Sequence, residues 1–299
     1  MKSHTPNSDR IPLFLHIPKT GGTTLKHCIY YQCKADEDYK SEEGYLVNGI
    51  YYYPDGIHKE PGAATPTKVI RALGRNELRA VVGHFSFGIH TYIKRPWTYV
   101  TLLRNPVDRV ISLYHHIQRY KHSPLHKIVS SGISIDDFVL HLSCREVDND
   151  QTRRISGLEP EFGACSISTL DKAKDNLCRS FSVVGLTECF DEMMILIKRT
   201  LGWAQDPCYV PALVNKDRPA SASLPQKSID AILDRNELDA KLYEFAKELL
   251  YERIADQGPD FNSEVRRFKA LNAEYIASMA CRAHDETTPR HGIERSGRW

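Results

Sequence analysis

The 299-residue chain has no long apolar run. None of its stretches approaches the ~18 consecutive apolar residues of a membrane span. Its first ten residues, MKSHTPNSDR, are polar and are not followed by the apolar core of a secretory signal. The reading that follows is a cytoplasmic protein without a membrane span. Charge of one sign is also lacking. Forty Lys and Arg against 38 Asp and Glu leave +2, whereas a general nucleic-acid binder carries a strongly basic face. That leaves room for a local basic pocket around a small anion. The eight cysteines include no CxxC pair and no zinc-like spacing. Free thiols in a reducing compartment are the simpler reading, while the even count leaves disulfides open in a lumen.

Hydrophobic content of 41% and charged content of 26% suit a soluble globular fold. Residues 1–10 read as a flexible arm, 11–281 as one domain, and 282–299 as a loose polar tail. Within the domain, strand-like and helix-like segments alternate. IPLFLHI, RAVVGH, TYVTLLR and FSVVGL read as strands. TTLKHCIYYQ, PVDRVISLYHHIQRY and ECFDEMMILIKRTLGW read as helices, with LDAKLYEFAKELLYERIA as the last. Residues 34–66, rich in Tyr, Gly and Pro, read as a long excursion between the first two strands. Alternation of this kind predicts an α/β fold, P-loop-like, with a mostly parallel central sheet flanked by helices. Ligands of such sheets bind at the carboxyl ends of the strands. Lys19, His84 and Arg104 all fall at that edge.

The stretch HIPKTGGTTL is built to hold an anion. Gly21, Gly22, Thr23 and Thr24 open a helix, where backbone N–H groups and the helix dipole favour negative charge. Lys19 adds a cation. On loop shape alone, an ordinary tight turn with a solvent lysine is the alternative. A Walker A loop places its lysine after the glycines, with a magnesium-binding carboxylate at another strand end. Here the lysine comes first, and the second and third predicted strands end in His84 and Arg104. An anion neutralised by protein cations, without a metal, fits this set.

HIPKTGGTTL followed by TLLRNPVDRVISLYHH resembles the sulfotransferases that use 3′-phosphoadenosine 5′-phosphosulfate (PAPS). The nearest likeness is to the carbohydrate branch with the heparan sulfate 2-O- and 6-O-sulfotransferases and bacterial members. NDQTRRISG, FSVVGLTECFDEMMILIKRTLGW and NELDAKLYEFAKELL extend the likeness over about residues 11–254. The resemblance implies the sulfotransferase fold, with sulfuryl transfer from PAPS to a hydroxyl, most naturally a carbohydrate's, and 3′,5′-ADP as product. It assigns Lys19, Thr20, Gly21, Gly22, Thr23 and Thr24 to the 5′-phosphosulfate, and Arg104 and Ser112 to the 3′-phosphate. Lys19 also stabilises the leaving group, and His84 is the candidate base.

Other readings stand beside these roles. Ser112 alone could be a helix-surface serine, and His84 a structural histidine. His16, His90, His115 and His116 compete with His84, as does an acidic base. Asp108 and Arg109 read as a local charge pair. Gln151, Thr152 and Arg153 are placed near the nucleotide or acceptor pocket, and Asn215, Lys216 and Arg218 in a closing loop. Two other functions remain in view, a non-catalytic nucleotide-binding protein of the same fold and a P-loop kinase.

Overall fold

The computed structural model describes residues 10–33, 45–54, 67–211 and 224–287. Its centre is a six-stranded sheet in the order β2-β3-β4-β1-β5-β6. The strands are β1 (Ile11–Leu15), β2 (Tyr45–Val47), β3 (Ile50–Tyr52), β4 (Ala80–Gly83), β5 (Trp97–Leu103) and β6 (Phe181–Leu186). All neighbouring pairs are parallel except the antiparallel β2–β3 hairpin. Leu13, Leu15, Val81, Tyr99, Val100, Leu102 and Leu103 are almost wholly buried, as expected of parallel strands covered on both faces. The predicted α/β class and four predicted strands are all present.

The hairpin was not predicted, although its signal is in the sequence. Asn48 and Gly49 both have positive φ, 49° and 82°, the turn that Asn-Gly favours. A Cβ on Gly49 would lie 2.6 Å from the Glu77 carbonyl oxygen. Hydrophobic period alone misses strands of three residues. The hairpin buries Tyr51 and Tyr52, and Tyr53 follows them into the core.

The helices are α1 (Gly22–Cys33), α2 (Thr67–Leu73), α3 (Pro106–Arg119), α4 (His126–Ser130), α5 (Ile135–His141), α6 (Asp150–Ser156), α7 (Ile167–Ser180), α8 (Phe190–Leu201), α9 (Gln226–Arg235), α10 (Glu237–Ala255) and α11 (Phe261–Thr287). Pro106 sits in the first turn of α3, and the Asn105 side chain accepts from the amides of Val107 and Asp108, a regular N-cap. The expectation that α10 is the last helix is corrected by α11. Among its residues whose burial is described, the buried ones, Phe261, Val265, Phe268 and Asn272, lie in its first half. Beyond it the polar residues still form helix, as far as Thr287 and into the segment read as tail. Among the described residues no helix is long and apolar enough to cross a membrane.

One core lies around the sheet and includes residues of α1, α7, α8, α10 and α11. A second joins α3, α4, α5 and α9. Two polar residues lock α6 to α10. The Asn149 Oδ1 accepts from the amides of Leu238 and Asp239 at 2.9 and 3.0 Å. The Asp239 carboxylate accepts in return from the amides of Gln151 and Thr152 at 3.2 and 2.8 Å. Each helix thus has its unpaired first-turn amides satisfied by the other. Asn149 also holds a left-handed backbone, φ 47°. Asn149→Ala should therefore lower stability by roughly 1–3 kcal/mol, combining a lost cap with a strained alanine. Urea unfolding would read this as a lower midpoint at unchanged slope.

Candidate functional site

The strand order puts β1 between β4 and β5, and the register sets the heights of their ends. Leu15 is level with Gly83 on one side and Thr101 on the other. Residues 16–22 therefore leave the sheet with His84 beside them and Arg104 slightly higher across the way. The sheet brings Lys19, His84 and Arg104 to one edge, as predicted.

The turn from β1 into α1 is shaped by its own backbone. Lys19 has φ 70° and Gly21 φ 86°. A left-handed lysine costs about 1 kcal/mol or more, and hydrogen bonds from three places hold it. The Thr20 hydroxyl donates to the Ile17 carbonyl at 2.9 Å. The Thr187 hydroxyl, just past β6, donates to the Thr20 carbonyl at 2.9 Å and the Leu103 carbonyl at 3.2 Å. Arg104 Nη1 donates to the Lys19 carbonyl at 3.1 Å. Thr20 is fully buried, so its hydroxyl serves the loop. The amides of Thr24 and Leu25 return to the Gly21 carbonyl. The geometry of a helix start leaves the Gly22 and Thr23 amides without an intrahelical acceptor, and the first turn of α1 has no acidic residue. Such a helix start is chemically suited to an anion.

Gly22 is required for a different reason from ligand approach. A Cβ there would lie 1.9 Å from the His16 ring. Gly83 likewise makes room for the protein, because a Cβ would meet Tyr53 at 2.7 Å.

His16 and His84 stack, with ring centroids 4.2 Å apart. His84 Nδ1 lies 2.9 Å from the His16 carbonyl oxygen. A carbonyl only accepts, so Nδ1 carries the hydrogen and Nε2 keeps its lone pair. That tautomer is the one a general base needs. His16 itself is held neutral. Burial, then the neighbouring His84, Arg154, Lys26 and Lys19, lower its pKa well below 6.5. The other histidines have different partners. His90 Nδ1 lies 2.9 Å from the Tyr99 hydroxyl, and His115 Nδ1 lies 2.9 Å from Gln118 Oε1.

Ser112 is half-buried on α3. His116, one turn further on the same face, has its pKa lowered by burial, then by Lys19 and Arg119. The Lys19 charge is therefore felt on the Ser112 face of α3. Arg109 does not form the local charge pair with Asp108 expected from sequence; its partners are Asp150 and Asp239. It is wholly buried, 4.0 Å from Asp150 and 3.8 Å from Asp239, and donates to the Glu146 carbonyl.

The QTR segment divides. Gln151 brackets the Arg104 backbone, accepting from its N–H and donating to its C=O, both at 2.9 Å. Arg153 is buried on Asp148 and three carbonyls, away from any ligand role. Sequence reasoning missed Arg154, whose charge reaches His16 and which pairs with Asp150 at 3.0 Å. It also missed Glu188, a carboxylate past β6 that accepts from the Asn105 amide at 3.3 Å. Asn215, Lys216 and Arg218 lie outside the described residues. Cys28, Cys144, Cys165, Cys178, Cys189 and Cys208 are free thiols.

A model of the family described as galactose-3-O-sulfotransferase matches residues 81–288. The zebrafish (Danio rerio) heparan-sulfate 6-O-sulfotransferase 3-B is 26% identical over 290 residues, covering 82% of this chain and 65% of that protein. The chain thus spans somewhat less than two thirds of that relative's length. The human heparan-sulfate 6-O-sulfotransferase 1 is 25% identical over 334 residues, covering 97% of this chain and 76% of that protein. Among solved structures, mouse sulfotransferase SULT7A1 complexed with PAP aligns with a TM-score of 0.41 at 12% identity, covering 80% of this chain and 90% of that one.

The half-buried His16, held neutral by desolvation and neighbouring charges, makes stability depend on pH. The unfolded residue takes up a proton near pH 6.5, and the folded one only at a lower value. Its contribution is full above about pH 6.5 and is lost as pH falls toward the folded pKa. Thermal midpoints measured from pH 7.5 to 5.5 should fall less steeply in His16→Phe than in the wild type. An equally steep fall would refute this assignment.

Proposed function

The chain belongs to the galactose-3-O-sulfotransferase family, and on that premise we propose that it transfers a sulfuryl group from PAPS to a carbohydrate hydroxyl. The observation that carries the proposal is the edge where the Lys19–Thr24 turn opens α1 between His84 and Arg104. The residues fit the donor. First-turn amides, a lysine and an arginine converge there with no acidic residue in the opening turn of the helix.

PAPS, when bound, supplies an electrophilic sulfuryl group and 3′,5′-ADP as leaving group. The Gly22 and Thr23 amides, with the Thr23 and Thr24 side chains, would hold the 5′-phosphosulfate. Arg104, whose planar fork suits a phosphate, and Ser112 on the facing helix would hold the 3′-phosphate. Lys19 would place positive charge where negative charge grows during transfer. His84 Nε2 would take the proton of the acceptor hydroxyl. The His16 carbonyl orients that ring, as the partner of the other nitrogen does in any histidine base. The acceptor is a sugar hydroxyl on the strength of the family and of the heparan-sulfate relatives.

Three measurements test this reading. Ligands that bind only the folded state raise its melting temperature. 3′,5′-ADP should raise it well above the shift given by 5′-ADP or ATP with magnesium. Equal or larger shifts with ATP and magnesium would move the chain to the kinases. Lys19→Ala should lower kcat by roughly 10²-fold or more, and near-full turnover would remove Lys19 from catalysis. His84→Ala should lose roughly 10²–10⁴-fold in kcat while keeping its affinity for 3′,5′-ADP. Lost turnover together with lost affinity would make His84 a binding residue.

A further inference from the structure

We propose that Gln151 is a positioning residue that sets Arg104 for the 3′-phosphate, an inference that rests on the function proposed above. β5 ends at Leu103, which is paired with Leu186, and α3 begins at Pro106. Arg104 falls in the gap between strand and helix, where neither ladder satisfies its backbone. Its N–H donates to Gln151 Oε1 and its C=O accepts from Gln151 Nε2, each at 2.9 Å. The primary amide thus replaces a neighbouring strand for a single residue. Only one orientation of the amide satisfies both groups, so the contact specifies where the Arg104 Cα sits and how its side chain leaves it.

Gln151 is itself held. It is fully buried, and its amide N–H donates to the Asp239 carboxylate at 3.2 Å. Asp239 stands at the start of α10, 3.8 Å from the buried Arg109 of α3. The Asn105 amide, one residue beyond Arg104, is bound to Glu188. The backbone that carries Arg104 is therefore fixed from α6 and from the end of β6. The guanidinium in turn reaches the Lys19 carbonyl, so both expected phosphate contacts depend on where Arg104 is placed. Serine, threonine and asparagine at 151 would be too short to span both groups. Glutamate would offer no hydrogen to the carbonyl.

The test compares 3′,5′-ADP with 5′-AMP, which lacks only the 3′-phosphate. Gln151→Met keeps length and neutrality, so a change in anion preference cannot come from added charge. By calorimetry the variant should bind 3′,5′-ADP about tenfold more weakly and bind 5′-AMP as the wild type does. In turnover, KM for PAPS should rise while kcat at saturation holds, the mark of lost ground-state binding. Equal losses for both nucleotides, or no loss for either, would reduce Gln151 to a structural role and overturn the proposal. If the variant does not fold, hydrogen exchange on the wild type decides. Exchange of the Arg104 amide should slow with 3′,5′-ADP more than with 5′-AMP, and equal slowing would overturn the proposal. A wild type that fails to prefer 3′,5′-ADP over 5′-AMP would instead defeat the proposed function. A wild type with that preference, retained in Gln151→Met, would defeat the positioning role alone.

Discussion

The turn from β1 into α1 depends on donors that lie far away in the chain. Thr187 and Arg104, from the ends of β6 and β5, donate to the carbonyls of Thr20 and Lys19. Without them a left-handed lysine has little to hold it, because only glycine takes that conformation cheaply. With them, the loop holds its turn into the first amides of α1. The shape of that loop is thus a property of the sheet as a whole. β1 supplies the loop, and its neighbours supply the bonds that keep the loop in shape.

Behind that edge lies a set of buried charges. Asp150, Arg109 and Asp239 are almost completely buried, and Arg153 is paired with Asp148 beside them. Burial opposes the charge of Asp150, but Arg154, Arg109 and Arg153 outweigh it and lower its pKa. For Asp239 burial wins over Arg109 and the amides it caps, and its pKa is raised. Buried ion pairs of this kind add little net stability, yet breaking one leaves a charge stranded. Their effect here is positional. They tie α3, α6 and α10 together at the point where Gln151 meets Arg104.

The two stacked histidines divide the labour at the other side of β1. His16 gives its carbonyl to His84 and its ring to the space left by Gly22. The lowered pKa of His16 keeps a second positive charge off the face of the His84 ring near neutral pH. Gly22 and Gly83 are spent on packing these rings and Tyr53, which shows why a glycine in a ligand loop need not face the ligand.

Local chemistry was enough for much of this. The β-branched runs marked β1, β4, β5 and β6, Pro106 and Asn105 marked the start of α3, and glycines after a strand marked the turn into α1. Those signals act over a few residues, so they survive in a bare sequence. The Asn-Gly hairpin and the stripe of α11 were equally local and were overlooked, the first for its short strands and the second for its polar second half. The rest required folding. Gln151 reaches Arg104 across 47 residues and His84 reaches the His16 carbonyl across 68, and Arg109 is buried against Asp150 and Asp239 rather than paired locally with Asp108. Residue types and spacing determined which groups this chain could bring to a ligand. Only the tertiary structure decided which were used on the protein itself, because a hydrogen bond or a buried charge is settled by the partner that packing places beside it.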